Sequence, residues 1–491
     1  MALAYERNRP EKTILHEVVT RTWPRIVSDY AVADKKVPYH VVQEMENYLK
    51  CGMLEFGFIH LACSDCGKER ILGYSCKKRG FCPRCGARRR EQTADRIENE
   101  VWPTGAGARQ WVLTFPPQIR AWLANSPLLF GDVITVVTDR ILYYYASSAT
   151  GFSSLSKWSR PAAGAISFIQ RYGSSLKRSP HLHIIFLDGA WVKGPEGLQF
   201  EAHPGFSTES MFAVIEDIYR HVFEVFKDHG YVREDGEAEA PEDYENMVHP
   251  FCPRAPKAFR RKSRLAKRPD YHLEDPDRIS VEGFANIRYK YFSLHAAVKI
   301  EGPDREGLKN LLRYAARSAV NLTQLSYVTP EDPSRSEIEL EMKRDWKDGT
   351  RTIIFSQTNL VESLAALTPP PWFNMVRYHG LFAPNHAWRS FAVPMPKRRN
   401  VWSDQDDKHK PPLVAPAGSV KPPPEYWIRA TQLMFRSLGI NPEICSCGGR
   451  MKVKGSVTDA TSIAEILARL DLVPTGPPPK SVGELEIVYD I

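Results

Sequence analysis

Pro180-His181-Leu182-His183-Ile184-Ile185-Phe186-Leu187-Asp188-Gly189 is the stretch on which the fold reading turns. Its apolar run is short and bounded by Pro180 and Asp188-Gly189, which predicts a strand rather than a helix. Asp-Gly predicts a tight hairpin turn, with Ala190-Trp191-Val192 opening the return strand. Alternation places His181, His183, Ile185 and Leu187 on one face. Two imidazoles on one face can reach a single divalent ion, and a third ligand must then come from elsewhere. Gln170 is the candidate, because Ile166, Phe168 and Gln170 share a face of the preceding strand, AISFIQRYG. The pattern alone is weak, since paired strand histidines are more often hydrogen-bonded structural residues.

A second segment changes that balance. Asp304 to Val320 reads as an amphipathic helix with an acidic first turn, its apolar stripe made by Leu308, Leu311, Leu312, Ala315 and Ala319. Tyr314 stands at the edge of the stripe, with Asn310, Arg317 and Ser318 one turn away. On helix propensity alone Tyr314 is a packing residue.

The cysteines are crowded: five of the nine fall between Cys63 and Cys85. Cys63-Ser-Asp-Cys66-Gly67 and Cys82-Pro-Arg-Cys85-Gly86 are two CxxC pairs, a strong zinc signature. Four thiolates, Cys63, Cys66, Cys82 and Cys85, predict one closed structural zinc site. Cys76 is read as a buried thiol left outside it, with an alternative ligand as the second reading. Cys445-Ser-Cys447-Gly-Gly-Arg-Met is one residue short of a CxxC pair, so no second zinc site is expected there.

The chain has 491 residues and a net charge of +8, gathered into basic runs at 77–80, 87–90, 259–268 and 397–399. Any one run is ordinary solvated surface, but several around one chemical centre point to a polyanion. Lys77, Lys78, Arg79, Arg88, Arg89 and Arg90 are the candidate DNA contacts beside the zinc module. No apolar run is long enough to cross a bilayer and the N-terminal residues lack a secretory h-region, so a cytoplasmic protein is expected. Five regions are read. A helical and zinc-binding part spans 1–100. A catalytic α+β part spans 104–330, with a charged surface insertion at 230–285. An accessory α/β unit covers 331–396, with Asp348-Gly349 as a hairpin turn and a helix from Thr358 to Leu367. A linker, 397–425, leads to a tail, 426–491.

In this order the motifs closely resemble one family. A CxxC doublet is followed by the His-x-His strand, Ser-Leu-His295-Ala, the Tyr314-x-x-Arg317 helix and VRYHGLFAPNHAWR (376–389). The chain resembles the rolling-circle insertion-sequence transposases of the HUH superfamily, of the insertion-sequence-ninety-one and common-region (ISCR) type. The resemblance runs from about Tyr48 to Pro394. It implies a five-stranded antiparallel sheet of the ferredoxin/RRM-like HUH type with flanking helices. It also implies a metal held by His181 and His183, and Tyr314 as the nucleophile. Family members that are similar but carry two tyrosines four apart differ here, where Asn310 occupies the earlier position.

The chemistry expected from the resemblance is cutting of single-stranded or hairpin DNA through a 5′-phosphotyrosine, with Mg²⁺ or Mn²⁺ drawing charge from the scissile phosphate. A phenol with a pKa of about 10 needs help to ionise, and Arg317 is placed to give it. A replication initiator or relaxase would use the same constellation, and a non-enzymatic zinc DNA-binding protein or a water-using nuclease are the competing classes. His295, His379 and His386 are read as packing residues, and Tyr378 has only its neighbourhood to recommend it as a second nucleophile.

Overall fold

The structure is a computed structural model that describes residues 9–150, 152, 160–232, 257–260, 280–281, 285–290, 292–342, 345, 349–394 and 443–472. Most of the charged stretch expected at 230–285, and the whole linker expected at 397–425, lie outside the described residues.

The chain opens with α1 (Ile14–Val32) and α2 (Tyr39–Leu49), a hairpin of β1 (Phe58–Cys63) and β2 (Glu69–Gly73), and α3 (Pro83–Arg96). Then come β3 (Ala108–Thr114), α4 (Pro117–Asn125), α5 (Pro127–Ser147), β4 (Gly164–Tyr172), β5 (Arg178–Leu187), β6 (Gly189–Gly194), β7 (Gly197–Ala202) and α6 (Thr208–Asp228). Short strands β8 (Lys257–Arg260), β9 (Ser280–Val281) and β10 (Asn286–Tyr289) lead to β11 (Phe292–Ile300) and α7 (Arg305–Ala315). β12 (Leu325–Tyr327), β13 (Ile338–Glu341), β14 (Thr350–Phe355), α8 (Gln357–Ala366), β15 (Val376–Gly380) and α9 (Arg389–Ala392) follow, and β16 (Met451–Val457) and α10 (Ala460–Arg469) end the described chain.

The central sheet is antiparallel, in the order β15-β4-β5-β3-β11-β10-β9. Seven strands stand where the resemblance implied five, because β15 extends one edge and β9 the other. β15 is the RYHG segment, which sequence reading had assigned to the accessory unit. The charged insertion likewise supplies strand: β8 closes the edge of a second sheet, β12-β13-β14-β8. Within that sheet IELE and TRTIIF pair antiparallel as expected, while Asp348 lies outside the described residues.

Both faces of the central sheet are covered, which is why its strands read as nearly continuous apolar runs. On one face Trp111, Leu113, Leu182, Ile184 and Phe186 pack against Val133, Val137 and Ile141 of α5 and Ile215, Ile218 and Val222 of α6. On the other Ile166, Phe168, Ile185 and Leu187 pack against Leu308, Leu311, Leu312 and Ala315 of α7. A separate core joins α1 and α2 to β12–β14 and α8. Among the described residues no single helix is long and apolar enough to cross a membrane.

The turn expected at Asp188-Gly189 is not a hairpin. β6 leaves the sheet and pairs with β7 instead. Asp188 is buried, and both its oxygens accept from Arg109, at 2.7 and 3.0 Å. Arg109 also donates to Ala296 O at 3.0 Å, and the Tyr145 hydroxyl donates to Asp188 at 3.2 Å. A short acid next to glycine reads as a turn from sequence, but here its charge is needed to neutralise a guanidinium inside the core. Removing one member of such a buried pair strands the other charge, at a cost of about 3–5 kcal/mol. Asp188→Leu and Arg109→Met should therefore each lower stability by that amount in urea unfolding, and the double change Arg109→Met/Asp188→Leu should cost clearly less than their sum. Additive losses would mean that the two groups do not act as a pair.

Candidate active site and metal-binding clusters

His181 and His183 extend the apolar face of β5 toward the end of the sheet. Their rings stand side by side, centroids 5.1 Å apart and tilted by 65°. Each imidazole has one nitrogen occupied. His181 Nδ1 lies 2.9 Å from Ser179 O; a carbonyl accepts only, so Nδ1 carries the proton and the lone pair sits on Nε2. His183 Nδ1 lies 2.5 Å from Gln110 Nε2, an orientation in which the amide donates to Nδ1 and the ring proton sits on Nε2. A half-turn of the amide, which exchanges its nitrogen for its oxygen, moves that proton to Nδ1 and leaves both Nε2 atoms to ligate an ion. Burial pushes both imidazoles below their ordinary value, aided at His181 by the positive charge of Arg317 and at His183 by His181 and then Arg317, which takes His183 to about 3. Both are therefore neutral at pH 7, the form that binds metal. Gln110 was missed in the sequence, where RQWVLT reads as one more apolar strand.

Gln170 is opposite His181 in the β4–β5 ladder, a register that the shared face of Ile166, Phe168 and Gln170 leaves open. Its amide is already engaged: Nε2 donates to Ala315 O at 3.1 Å, and Oε1 accepts from Arg317 at 3.4 Å. The Tyr172 hydroxyl donates to Arg317 O at 2.6 Å. Two side chains of β4 thus satisfy carbonyls just where α7 ends, and the helix stops at Ala315 instead of running on to Val320. At its start Asp304 caps the helix by accepting from Gly307 N at 2.8 Å.

These caps fix Tyr314. Its ring is half exposed, at 49 %, and its centroid is 5.7 Å from that of His183, at 82°. The Arg317 guanidinium lies 4.8 Å from the Tyr314 ring centroid, and its Nε is buried without a hydrogen-bond partner. Phenol, guanidinium and two imidazoles therefore converge, although they come from segments more than 120 residues apart. His379 is bonded to Ser167 and Thr138, at 2.6 and 3.3 Å, and Tyr378 packs into the apolar cluster opposite Ile166.

The cysteines are grouped differently from the expectation of one site. Cys82 and Cys85 meet Cys51 and Cys76, while Cys63 and Cys66 meet Cys445 and Cys447; within each group the four sulfurs lie within 4.8 Å of one another. The hairpin explains the split. Cys63 and Cys66 sit at its tip, and β2, five residues long, carries the chain roughly 16 Å back before Cys76. In the first group Cys51–Cys85 and Cys51–Cys82 are 3.7 Å apart and Cys76–Cys85 3.4 Å. Cys76 is thus a fourth ligand candidate, not a spare thiol, and Cys51 at the end of α2 was overlooked because it has no CxxC partner.

Several of the basic residues are spent inside the molecule. Arg79 donates to Phe373 O and Pro370 O at 2.6 and 3.2 Å, Arg89 to Lys77 O and Lys78 O at 3.0 and 2.9 Å, and Arg90 pairs with Glu91 at 2.9 Å. Lys77 is exposed.

The zinc module and the tyrosine helix touch directly. α3 follows Cys82 as its N-cap and, with the helical turn Ile97–Val101 that continues it, runs antiparallel to α7, joined by Glu91–Arg313 at 2.8 Å, Asp95–Lys309 at 3.9 Å and Glu98–Arg305 at 3.2 Å. Spacings of three and four residues put each set on one helix face. At the Tyr314 end a Cβ on Gly86 would come within 2.7 Å of Ser318 Cβ, so glycine permits the approach. Glu91 is 4 % exposed and holds both Arg90 and Arg313. Glu91→Gln keeps its shape but removes the charge. Amide exchange in 305–315 should then quicken by about tenfold, as expected for weakened docking of one element, with the exchange of β3–β5 and the zinc content unchanged. Unaltered protection of α7 would show that the ladder does not hold it.

Comparison with known families matches this layout. Residues 18–115 match the model described as "Transposase zinc-binding domain", and residues 164–389 match the one described as "Putative transposase". No curated protein and no solved structure matches. The first match contains Cys51, Cys76, Cys82 and Cys85, and with their geometry supports a structural zinc. The second contains His181, His183, Tyr314 and Arg317. The chain belongs to the insertion-sequence-ninety-one family of transposases, DNA-acting proteins, and carries that family's zinc-binding domain ahead of the transposase region.

Proposed function

We propose that the protein is a rolling-circle transposase of the HUH type, which cuts and rejoins single-stranded DNA at element ends through Tyr314. The observation that carries this reading is the placement of a half-exposed phenol beside the His183 ring, with Arg317 stacked on it.

Tyr314 Oη attacks the scissile phosphorus, and the bond to the 3′ oxygen breaks. The phenolic proton is lost and the departing 3′ oxygen gains one, which leaves a free 3′-OH and a 5′-phosphotyrosine. One phosphodiester is exchanged for another, so the reverse reaction joins DNA without a nucleotide cofactor. Arg317 brings a positive charge beside the ring, and at 4.8 Å from its centroid it fixes the ring plane. His181 and His183 would hold Mg²⁺ or Mn²⁺ through Nε2. When bound, such an ion withdraws charge from the phosphate and orients it for in-line attack. Gln170 Oε1 is a third ligand only if it turns away from Arg317. Imidazole ligands alone favour softer metals, so phosphate oxygens complete the shell of a hard ion. Lys77, Lys78 and Arg88 are the residues proposed for backbone phosphates, with Arg79, Arg89 and Arg90 shaping the surface that carries them.

The test is incubation of the full chain with a single-stranded oligonucleotide carrying an element end and Mn²⁺, followed by a denaturing gel. A covalent protein–DNA band is expected, absent in Tyr314→Phe and in His181→Ala/His183→Ala, and reduced about 10²-fold in Arg317→Ala. Cleavage that survives Tyr314→Phe with no covalent band would overturn the reading in favour of a nuclease that uses water.

A further inference from the structure

Cys63, Cys66, Cys445 and Cys447 lie outside the catalytic chemistry, and Cys445 and Cys447 lie outside both family matches. We propose that these four cysteines bind a second zinc ion, shared between the N-terminal domain and the C-terminal segment, which staples residues 443–472 onto the β1–β2 hairpin. The inference stands independently of the strand-transfer reading.

The geometry is that of a closed tetrahedral site. Cys63–Cys447 and Cys66–Cys445 sulfurs are 3.5 and 3.6 Å apart, too far for disulfides. Zinc–sulfur bonds of about 2.3 Å set tetrahedral edges of roughly 3.8 Å. Each half is a glycine-closed turn, one residue longer at Cys63–Gly67 than at Cys445–Gly448. Gly67 N donates to Cys63 O at 3.2 Å and Gly448 N to Cys445 O at 3.0 Å, and both glycines have positive φ, +74° and +88°. The one-residue spacing of Cys445 and Cys447 is therefore no obstacle, because the turn closes around Gly448. Gly449 N donates to Cys447 Sγ at 3.4 Å, the amide-to-thiolate contact that eases negative charge on sulfur. Lys68 sits over the cluster, donating to Ser446 at 3.1 Å, and partly balances four thiolates on one dication.

The C-terminal segment has a reason to need a staple. β16 pairs with β1 along its length, and Arg469 grips Glu69 with two bonds of 2.7 and 2.8 Å. Its fully buried apolar side chains are Ile463 and Leu467, on Leu54, Phe58 and Ile71, and Met451 beside Leu61; Val453, Val457, Ile466, Leu470 and Leu472 are only partly buried against them. Thirty residues with so small a core depend on a cross-link. The two sites also differ in exposure. Cys66 and Cys447 are exposed, whereas Cys51, Cys82 and Cys85 are buried. The second ion is thus the exchangeable one.

The full-length chain, purified with zinc and assayed by elemental analysis, should contain two zinc ions per chain, and Cys445→Ser/Cys447→Ser should contain one. A wild-type content of one, two ions retained in the variant, or iron in place of zinc would each overturn the proposal. Should the variant not fold, the wild type decides alone: a chelator should release zinc in two phases. The first phase should expose Cys63, Cys66, Cys445 and Cys447 to alkylation and free the C-terminal segment to protease, while Cys51, Cys76, Cys82 and Cys85 stay protected. Release in a single phase, or alkylation of both groups together, would contradict it.

Discussion

Everything about the site depends on how α7 is gripped. Below it, Leu308, Leu311, Leu312 and Ala315 are buried against Ile166, Phe168, Ile185 and Leu187. Beside it, Lys309 and Arg313 meet Asp95 and Glu91 of α3, and Arg305 meets Glu98 in the helical turn just after it. At its end, Gln170 and Tyr172 hold the carbonyls of Ala315 and Arg317. A helix held on three sides has one register and one rotation open to it, and Tyr314 stands at the edge where apolar stripe gives way to solvent. The grip is made from nonpolar burial for affinity and charge for register, since the ion pairs are partly exposed and individually worth little.

The central sheet imposes the complementary constraint. With helices on both faces, polar side chains there must find partners or be at an end. His181, His183, Gln110 and Gln170 cluster at one end of a face otherwise filled by aliphatic and aromatic groups, and each is tied to a neighbour. Burial keeps the imidazoles neutral and therefore able to bind an ion, and the hydrogen bond that Ser179 O accepts selects the nitrogen. The zinc module enters through α3, which begins at a metal-binding cysteine pair and ends against the tyrosine helix. A structural ion there sets the rigidity of a wall of the site without touching the substrate.

Much of this was legible in the sequence because the signals were local. The His181–Leu187 alternation, the stripe from Leu308 to Ala315, the acidic first turn after Asp304 and the helix before Pro369 each follow from spacing within one element. What was missed is long-range. Two CxxC pairs announce zinc, but spacing along the chain cannot say which sulfurs share an ion; a hairpin between them sends each to a different partner. Cys51, Cys445 and Cys447 carry no complete motif and become recognisable only in space. Asp188 reads as a turn because its partner, Arg109, is 79 residues earlier. Basic runs read as DNA contacts, yet Arg79, Arg89 and Arg90 are used to fasten loops and helices.

The most direct measurement of the central idea is a crystal structure of Tyr314→Phe with Mn²⁺ and a single-stranded oligonucleotide. The expected result is an anomalous manganese peak within bonding distance of Nε2 of both His181 and His183, with a DNA phosphate between the ion and the edge of the ring at position 314. A manganese peak elsewhere, or a phosphate bound out of reach of that ring, would contradict it.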